Sequence, residues 1–318
     1  VLCVVLAAPA APAAAGNGTA GNGTGRCHHP AALRVLGRLT GEDGMTGAAV
    51  RVETPACPAW SAALGRADVR TGRPMRAGDR IRIGSTTKTF TATVLLQLVA
   101  EHRVGLDDTV EDHLPGLIAR HGYDGGRITV RQLLRHTSGL PDHTDALDWE
   151  HPERWRAHDF TARELVALAL ERPRPERAWS YSTTNYVLLG MIIEKVTGRP
   201  AAREVERRII APLGLRDTYW PGTARTIEGP HPRGYEWRTR GGRKVLSDVT
   251  ELNTTVAGAG GALVSAGAGR EAAGRGPGAV AGAAAAARGG HRARGAGAHH
   301  AARGAARRLP PPRPSARR

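Results

Sequence analysis

No run of roughly eighteen or more apolar residues occurs anywhere in the chain, so the sequence contains no helix able to span a bilayer. There is no His-Glu-x-x-His and no paired-cysteine spacing, which removes the common zinc sites. His28-His29, His136 and the Asp142, His143, Asp145 cluster do not make up for that, and neither metal nor cofactor is expected. No glycine-rich loop leads into Lys-Ser or Lys-Thr, so no phosphate cradle is present. Aromatic residues make up 4% of the 318, and cysteine is limited to Cys3, Cys27 and Cys57.

A lack of acidic residues at one end explains the formal charge of +16. Residues 267–318 carry eleven Arg and one Glu, while the other 266 residues hold 34 basic and 28 acidic side chains. The segment 267–318 is built almost wholly from Ala, Gly, Arg and Pro, with one Val, one Leu and no aromatic residue. Such a composition cannot bury enough apolar surface to offset the entropy of ordering, so it reads as a disordered tail. Polyanion binding by that tail is the competing reading. Without aromatics for base stacking or a recognised motif, no nucleic-acid partner is expected.

At the other end, residues 1–15 (VLCVVLAAPAAPAAA) read as a signal-peptide remnant with a small-residue cleavage pattern at Ala13–Ala15. A flexible Gly-rich spacer follows over 16–26, and the folded domain is expected over 27–266. The corresponding expectation is a secreted or cell-wall-associated protein, in which Cys27 and Cys57 are free to pair.

Within the domain, Leu33, Val35, Leu36 and Leu39 mark a first helix closing near Gly41. Two short strands follow over 48–53 and 59–64, and 79–84 is extended. A helix is expected over 85–101, with Phe90, Val94, Leu95, Leu98 and Val99 on one side. From 103 to about 230 the pattern is helix and turn. Thr129 with Gln132 and Thr161 with Glu164 have capping-box spacing. A longer helix over 184–197 ends at Gly198, as a residue that accepts the left-handed conformation. Residues 235–245 read as a hairpin around Gly241-Gly242, and 258–267 as a Gly-rich connection.

Ser85-Thr86-Thr87-Lys88 is the sharpest feature. One helical turn separates Ser85 from Lys88, which brings an amine towards a hydroxyl. A serine alcohol needs a base to become a nucleophile, and a lysine can be that base where burial or a neighbouring cation lowers its proton affinity. A capping serine with a solvated lysine gives the same spacing. With 8 Ser and 3 Lys in the chain, chance supplies only about 0.08 such pairs, counted as a motif expectation.

The second feature lies 96 residues on, in WSYSTTNYVLLGMIIEKVTG (179–198). Together with IRIGSTTKTFTATVLLQLVAEHRVGLDDTVEDHLPGL, ITVRQLLRHTSGL and APLGLRDT, it resembles the serine β-lactamase-like superfamily. The nearest branch is that of class C β-lactamases and exported D-alanyl-D-alanine carboxypeptidases. The likeness covers about residues 30–266. It implies an α/β (α+β) fold, an antiparallel sheet flanked by helices plus an all-helical lobe over about 103–230, with the nucleophilic serine beginning a helix between them.

Carried over residue by residue, the resemblance makes Ser85 the acylated nucleophile, Lys88 its proton partner and Tyr181 the tyrosine of a Tyr-x-Asn element. Either Lys88 or Tyr181 can be the first to take the serine proton. Tyr181 has an alternative as a core residue beside Trp179. The asparagine of that element is Thr183 here, still a substrate-binding candidate but with one hydroxyl in place of an amide's paired donor and acceptor. The family's third element, Lys or His followed by Thr or Ser and Gly, has no match beyond Tyr181, since GGHRARG and GAHHAARG do not fit. The likeness stops after about Gly267, as expected of a truncation or shifted reading frame that leaves out the C-terminal strands.

The activity implied is serine acyl hydrolysis of a small peptide, including peptidoglycan stem peptides, or of a β-lactam. A D-alanyl-D-alanine carboxypeptidase ranks first. A catalytically crippled penicillin-binding relic, and then a β-lactamase or esterase, are the alternatives.

Overall fold

The structure, a computed structural model, describes residues 2–7, 29–54 and 57–266. Strands β2 (Gly47–Thr54) and β3 (Cys57–Gly65) pair antiparallel, with an irregularity between Val52 and Thr54. Helix α1 (Pro30–Gly41), with proline in its first turn, packs on one face of this pair. Alternation along β2 sorts its side chains: Ala48 and Val50 meet Leu36 of α1, while Ala49 faces Ala67 and Met75 on the other side. Of the apolar residues that marked α1, Leu36 and Leu39 reach the sheet, whereas Leu33 and Val35 remain exposed.

The sheet is not purely antiparallel. The backbone of Leu2–Ala7, within the segment read as a signal-peptide remnant, forms strand β1 in parallel register with β2, from Leu2 opposite Ala48 to Ala7 opposite Glu53. The rest of 1–15, the spacer 16–26 and the tail 267–318 lie outside the described residues. Cys57 is disulfide-bonded; Cys27, its expected partner, also lies outside them.

A second antiparallel pair joins β4 (Arg80–Arg82) to β7 (Val264–Ala266). Strand β7 corrects the reading of 258–267 as connection: three residues beside a glycine cluster are too few to show alternation, and pairing with β4 decides the conformation. Hairpin β5 (Tyr235–Arg240) and β6 (Arg243–Asp248) turns at Gly241 and Gly242, both at positive φ, as a tight two-residue hairpin demands.

The helical lobe gathers on α6 (Thr183–Thr197), flanked by α2 (Thr87–Ala100), α4 (Val130–Arg135) and α5 (Ala162–Leu170). Leu95, Leu98, Leu133, Leu165, Leu188, Leu189, Ile192 and Ile193 are almost wholly buried in one apolar core. Both expected capping boxes form, and Gly198 ends α6 at φ 69°. A third box, Thr109 with Asp112, opens the short α3 (Val110–His113); its aspartate falls outside the Glu/Gln signature. No helix among the described residues is long and apolar enough to cross a membrane.

Candidate active site

Ser85 does not begin the α-helix proper. Gly84–Thr86 forms one turn of 3-10 helix, and α2 starts at Thr87. The tighter turn leaves Ser85 exposed while Lys88, one turn on, is 7% exposed. Lys88 Nζ lies 3.2 Å from Ser85 Oγ. It also donates to the Gly260 carbonyl at 2.8 Å, and sits 4.8 Å from the Tyr181 ring centroid and 5.5 Å from that of Tyr186. A carbonyl and two ring faces are the surroundings that hold an amine in a dry site.

Tyr181 precedes α6 and donates its hydroxyl to Ser85 Oγ at 2.8 Å. At 43% exposure it is not the core residue considered as its alternative. Ser85, Lys88 and Tyr181, separated by up to 96 positions in sequence, therefore share one cluster of hydrogen bonds. Ser85 Oγ accepts from both partners as arranged here; along either line a neutral Lys88 amine or a Tyr181 phenolate can instead accept the serine proton and free the oxygen as a nucleophile. The N-terminal end of α2 adds a field that favours negative charge developing at Ser85.

Gly260 shows why glycine is needed behind this cluster. A Cβ there would lie 2.5 Å from Thr183 Cγ2 and 3.4 Å from Lys88 Nζ. Nearby, Thr91 Oγ1 donates to the Ala259 carbonyl at 2.7 Å, and the Leu263 N–H donates to Thr87 Oγ1 at 3.1 Å. The segment leading into β7 is thus tied to α2 at three levels.

Thr183 lies beside the cluster, but its hydroxyl is engaged. Thr183 N–H and Oγ1 both donate to Asp142 Oδ2, at 2.8 and 2.9 Å, and Thr144 N–H donates to Asp142 Oδ1 at 3.0 Å. Burial works to raise the Asp142 carboxyl, yet these hydrogen bonds prevail and hold it below the usual range. His143, fully buried, meets Thr184 Oγ1 at 3.1 Å and the Val256 carbonyl at 2.8 Å. Burial pushes its imidazole down. The Asp142, His143, Asp145 cluster considered for metal thus has its first two members committed to organising the start of α6.

His136, within the HTSGL phrase, stacks on Tyr181 with ring centroids 4.5 Å apart and 25° between planes. The only sequence signal for it was the phrase itself. Gly260 carried none beyond its place in a glycine-rich run.

The Beta-lactamase family model matches residues 33–311, extending past residue 267 where the sequence resemblance was read to stop. The chain belongs to the Beta-lactamase family, and the fold is that of the β-lactamases and transpeptidases. A D-stereospecific amidohydrolase from Streptomyces sp. superimposes with a TM-score of 0.68 at 40% identity, over 75% of this chain and 69% of that one. A D-amino acid amidase from Ochrobactrum anthropi SV3, complexed with L-phenylalanine amide, gives 0.63 at 30% identity, over 74% and 66% respectively. Penicillin-binding protein 4* of Bacillus subtilis (strain 168) is 32% identical over 161 residues, 49% of this chain and 34% of that protein. The chain thus spans about a third of that curated relative's length.

Proposed function

We propose that this member of the Beta-lactamase family is a serine acyl hydrolase that works through an acyl-enzyme on Ser85. The observation that carries the reading is the convergence of Lys88 Nζ and the Tyr181 hydroxyl on Ser85 Oγ, at 3.2 and 2.8 Å. In the proposed reaction Ser85 Oγ bonds to the substrate carbonyl carbon as its proton passes to the neutral amine of Lys88 or to the phenolate of Tyr181. The carbonyl oxygen becomes the oxyanion at the start of α2. As the C–N bond breaks, the leaving nitrogen collects the proton, and an ester on Ser85 remains. Water then adds to that ester and Ser85 Oγ leaves with a proton.

For the substrate we favour a peptide ending in D-alanyl-D-alanine, such as a peptidoglycan stem peptide met outside the membrane, with the D-residue on the acyl side of the bond. A second reading, a simple D-amino acid amide, is supported by the 40% identity to a D-stereospecific amidohydrolase. Both readings require the same D-configured acyl group on Ser85 and differ in the leaving group.

Release of amine from acetyl-Lys-D-Ala-D-Ala, D-phenylalanine amide and L-phenylalanine amide, measured side by side, tests the assignment. The favoured reading expects turnover of the D-Ala-D-Ala peptide above that of either amide. D-phenylalanine amide as the best substrate would establish the second reading, and equal turnover of the D- and L-amides would overturn D-specificity.

A further inference from the structure

Tyr181 is held from three directions by one residue. His136 ends α4 in the left-handed conformation, at φ 58° and ψ 37°. Its carbonyl accepts the Ser180 N–H at 3.0 Å, and its ring Nδ1 accepts the Ser182 N–H at 3.2 Å. The residue between them, Tyr181, has its ring stacked on the imidazole. We propose that His136 is a positioning residue for Tyr181, a neutral ring protonated on Nε2 that fixes the phenol over Ser85. The inference rests on the proposed acylation of Ser85.

The tautomer follows from the donors. A backbone N–H can only donate, so Nδ1 must present its lone pair to Ser182. Asn185 Nδ2, 3.3 Å from the same Nδ1, is also a donor, and Asn185 is turned that way because its Oδ1 accepts from Ser138 Oγ at 2.6 Å. The proton of a neutral ring then resides on Nε2. Left-handed backbone at a non-glycine residue has a cost, tolerated where the surroundings over-determine it. Here two hydrogen bonds to the segment before α6 depend on it.

Protonation would undo the arrangement. A proton on Nδ1 would face two donors, and the new cation would stand against the charge of Lys88. Burial and then Lys88 push His136 below the ordinary imidazole range, while the Asp142 carboxylate pulls the other way. The remaining neighbours are rings: Tyr181, Tyr186 at 5.4 Å and Trp179 at 6.3 Å between centroids. Below the His136 titration, Tyr181 should lose its anchor, and acylation should fall before the fold does.

The test compares the full chain with its His136→Asn variant. Asparagine tolerates the left-handed backbone and offers an amide oxygen where Nδ1 sits, but it cannot stack. The acylation rate constant for a chromogenic ester is followed from pH 5 to pH 9, with thermal melting as the check on folding. The expected result is a fall on the order of 10²-fold, the scale of an ångström of misplacement. KM should hold nearly constant, and the acidic fall-off of the parent should vanish in the variant. Equal rates and equal pH profiles would overturn the inference.

Nitrogen-15 NMR of the parent provides a second measurement that needs no turnover. Nδ1 of His136 unprotonated and Nε2 protonated at pH 7.5 is expected, and a protonated Nδ1 would overturn the inference even if the variant failed to fold. A parent that does not acylate at all would instead count against the proposed function, leaving the NMR result to decide the role of His136 in placing Tyr181.

Discussion

Lys88 Nζ and the Gly260 carbonyl lie 2.8 Å apart across 172 residues of chain. That bond links the proposed proton partner of Ser85 to the segment entering β7, and it makes the site a product of tertiary packing as much as of the Ser-x-x-Lys turn. Gly260→Ala should therefore act on chemistry. The added methyl would press on Thr183 Cγ2 and approach Lys88 Nζ. Overpacking of this kind destabilises by about 1–3 kcal/mol. Acylation should slow by roughly 10- to 100-fold as Lys88 shifts. Stopped-flow acylation beside a denaturant melt checks both, and an unchanged rate in a folded variant would separate Gly260 from the site.

Removing either partner of Ser85 should be costly in different ways. Lys88→Ala deletes a proton carrier and also leaves the Gly260 carbonyl without its donor, whereas Tyr181→Phe deletes one hydroxyl at the surface. General acid–base partners contribute about 10²–10⁴-fold each. The lysine variant should fall at the upper end with a lowered melting temperature, and the tyrosine variant at the lower end with stability retained. Single-turnover kinetics with a chromogenic ester would show the ranking, and full activity in either variant would exclude that residue from proton transfer.

Thr183 serves Asp142, so its replacement should be read in stability and in KM separately. Thr183→Val removes a donor from a partly buried carboxylate and should cost about 1–3 kcal/mol in a urea melt. Thr183→Asn keeps a donor for Asp142 and adds a carbonyl towards the substrate. Its KM for a D-amino acid amide should drop about fivefold, the worth of one net hydrogen bond. A rise in KM with asparagine would contradict the view that Thr183 under-supplies the substrate.

Glu204, wholly buried, accepts from Arg207 Nη2 at 2.8 Å and Arg208 Nε at 2.6 Å. Burial alone would raise its carboxyl, but the hydrogen bonds and charges of Arg207 and Arg208 prevail and set it at about 2, against an ordinary 4.5. Its contribution is then complete above about pH 4.5 and is lost as the pH falls towards 2. Glu204→Gln should cost about 3 kcal/mol at pH 7, as expected when one partner of a buried ion pair is removed. The difference from the parent should shrink across pH 4.5 to 2 in thermal melts. A difference constant through that window would mean the ion pairs do not stabilise the fold.

Some of this was readable from residues alone. Ser85 and Lys88 are one turn apart if that turn is helical, and the helical spacing of Phe90, Val94, Leu95 and Leu98 on their C-terminal side points to a helix there. The capping boxes at Thr129 and Thr161, the Gly198 stop and the Gly241-Gly242 hairpin follow from local chemistry, and all four form. Long-range pairings were not readable. Val264–Ala266 becomes strand because β4 lies beside it, and Ser85 falls in a 3-10 turn ahead of α2. His136 shows no pattern of its own, because its contacts with 180–182 arise only once α4 and α6 are packed. Thr183 was placed near the substrate, and only the fold shows its hydroxyl turned to Asp142.

The most direct measurement is the site of covalent modification. The chain is incubated with a fluorescent penicillin, digested with trypsin and mapped by mass spectrometry. The expected adduct lies on the peptide Ile83–Lys88, at Ser85, and disappears in Ser85→Ala. Labelling of the folded protein at another residue, or none at all, would contradict a Ser85 acyl-enzyme.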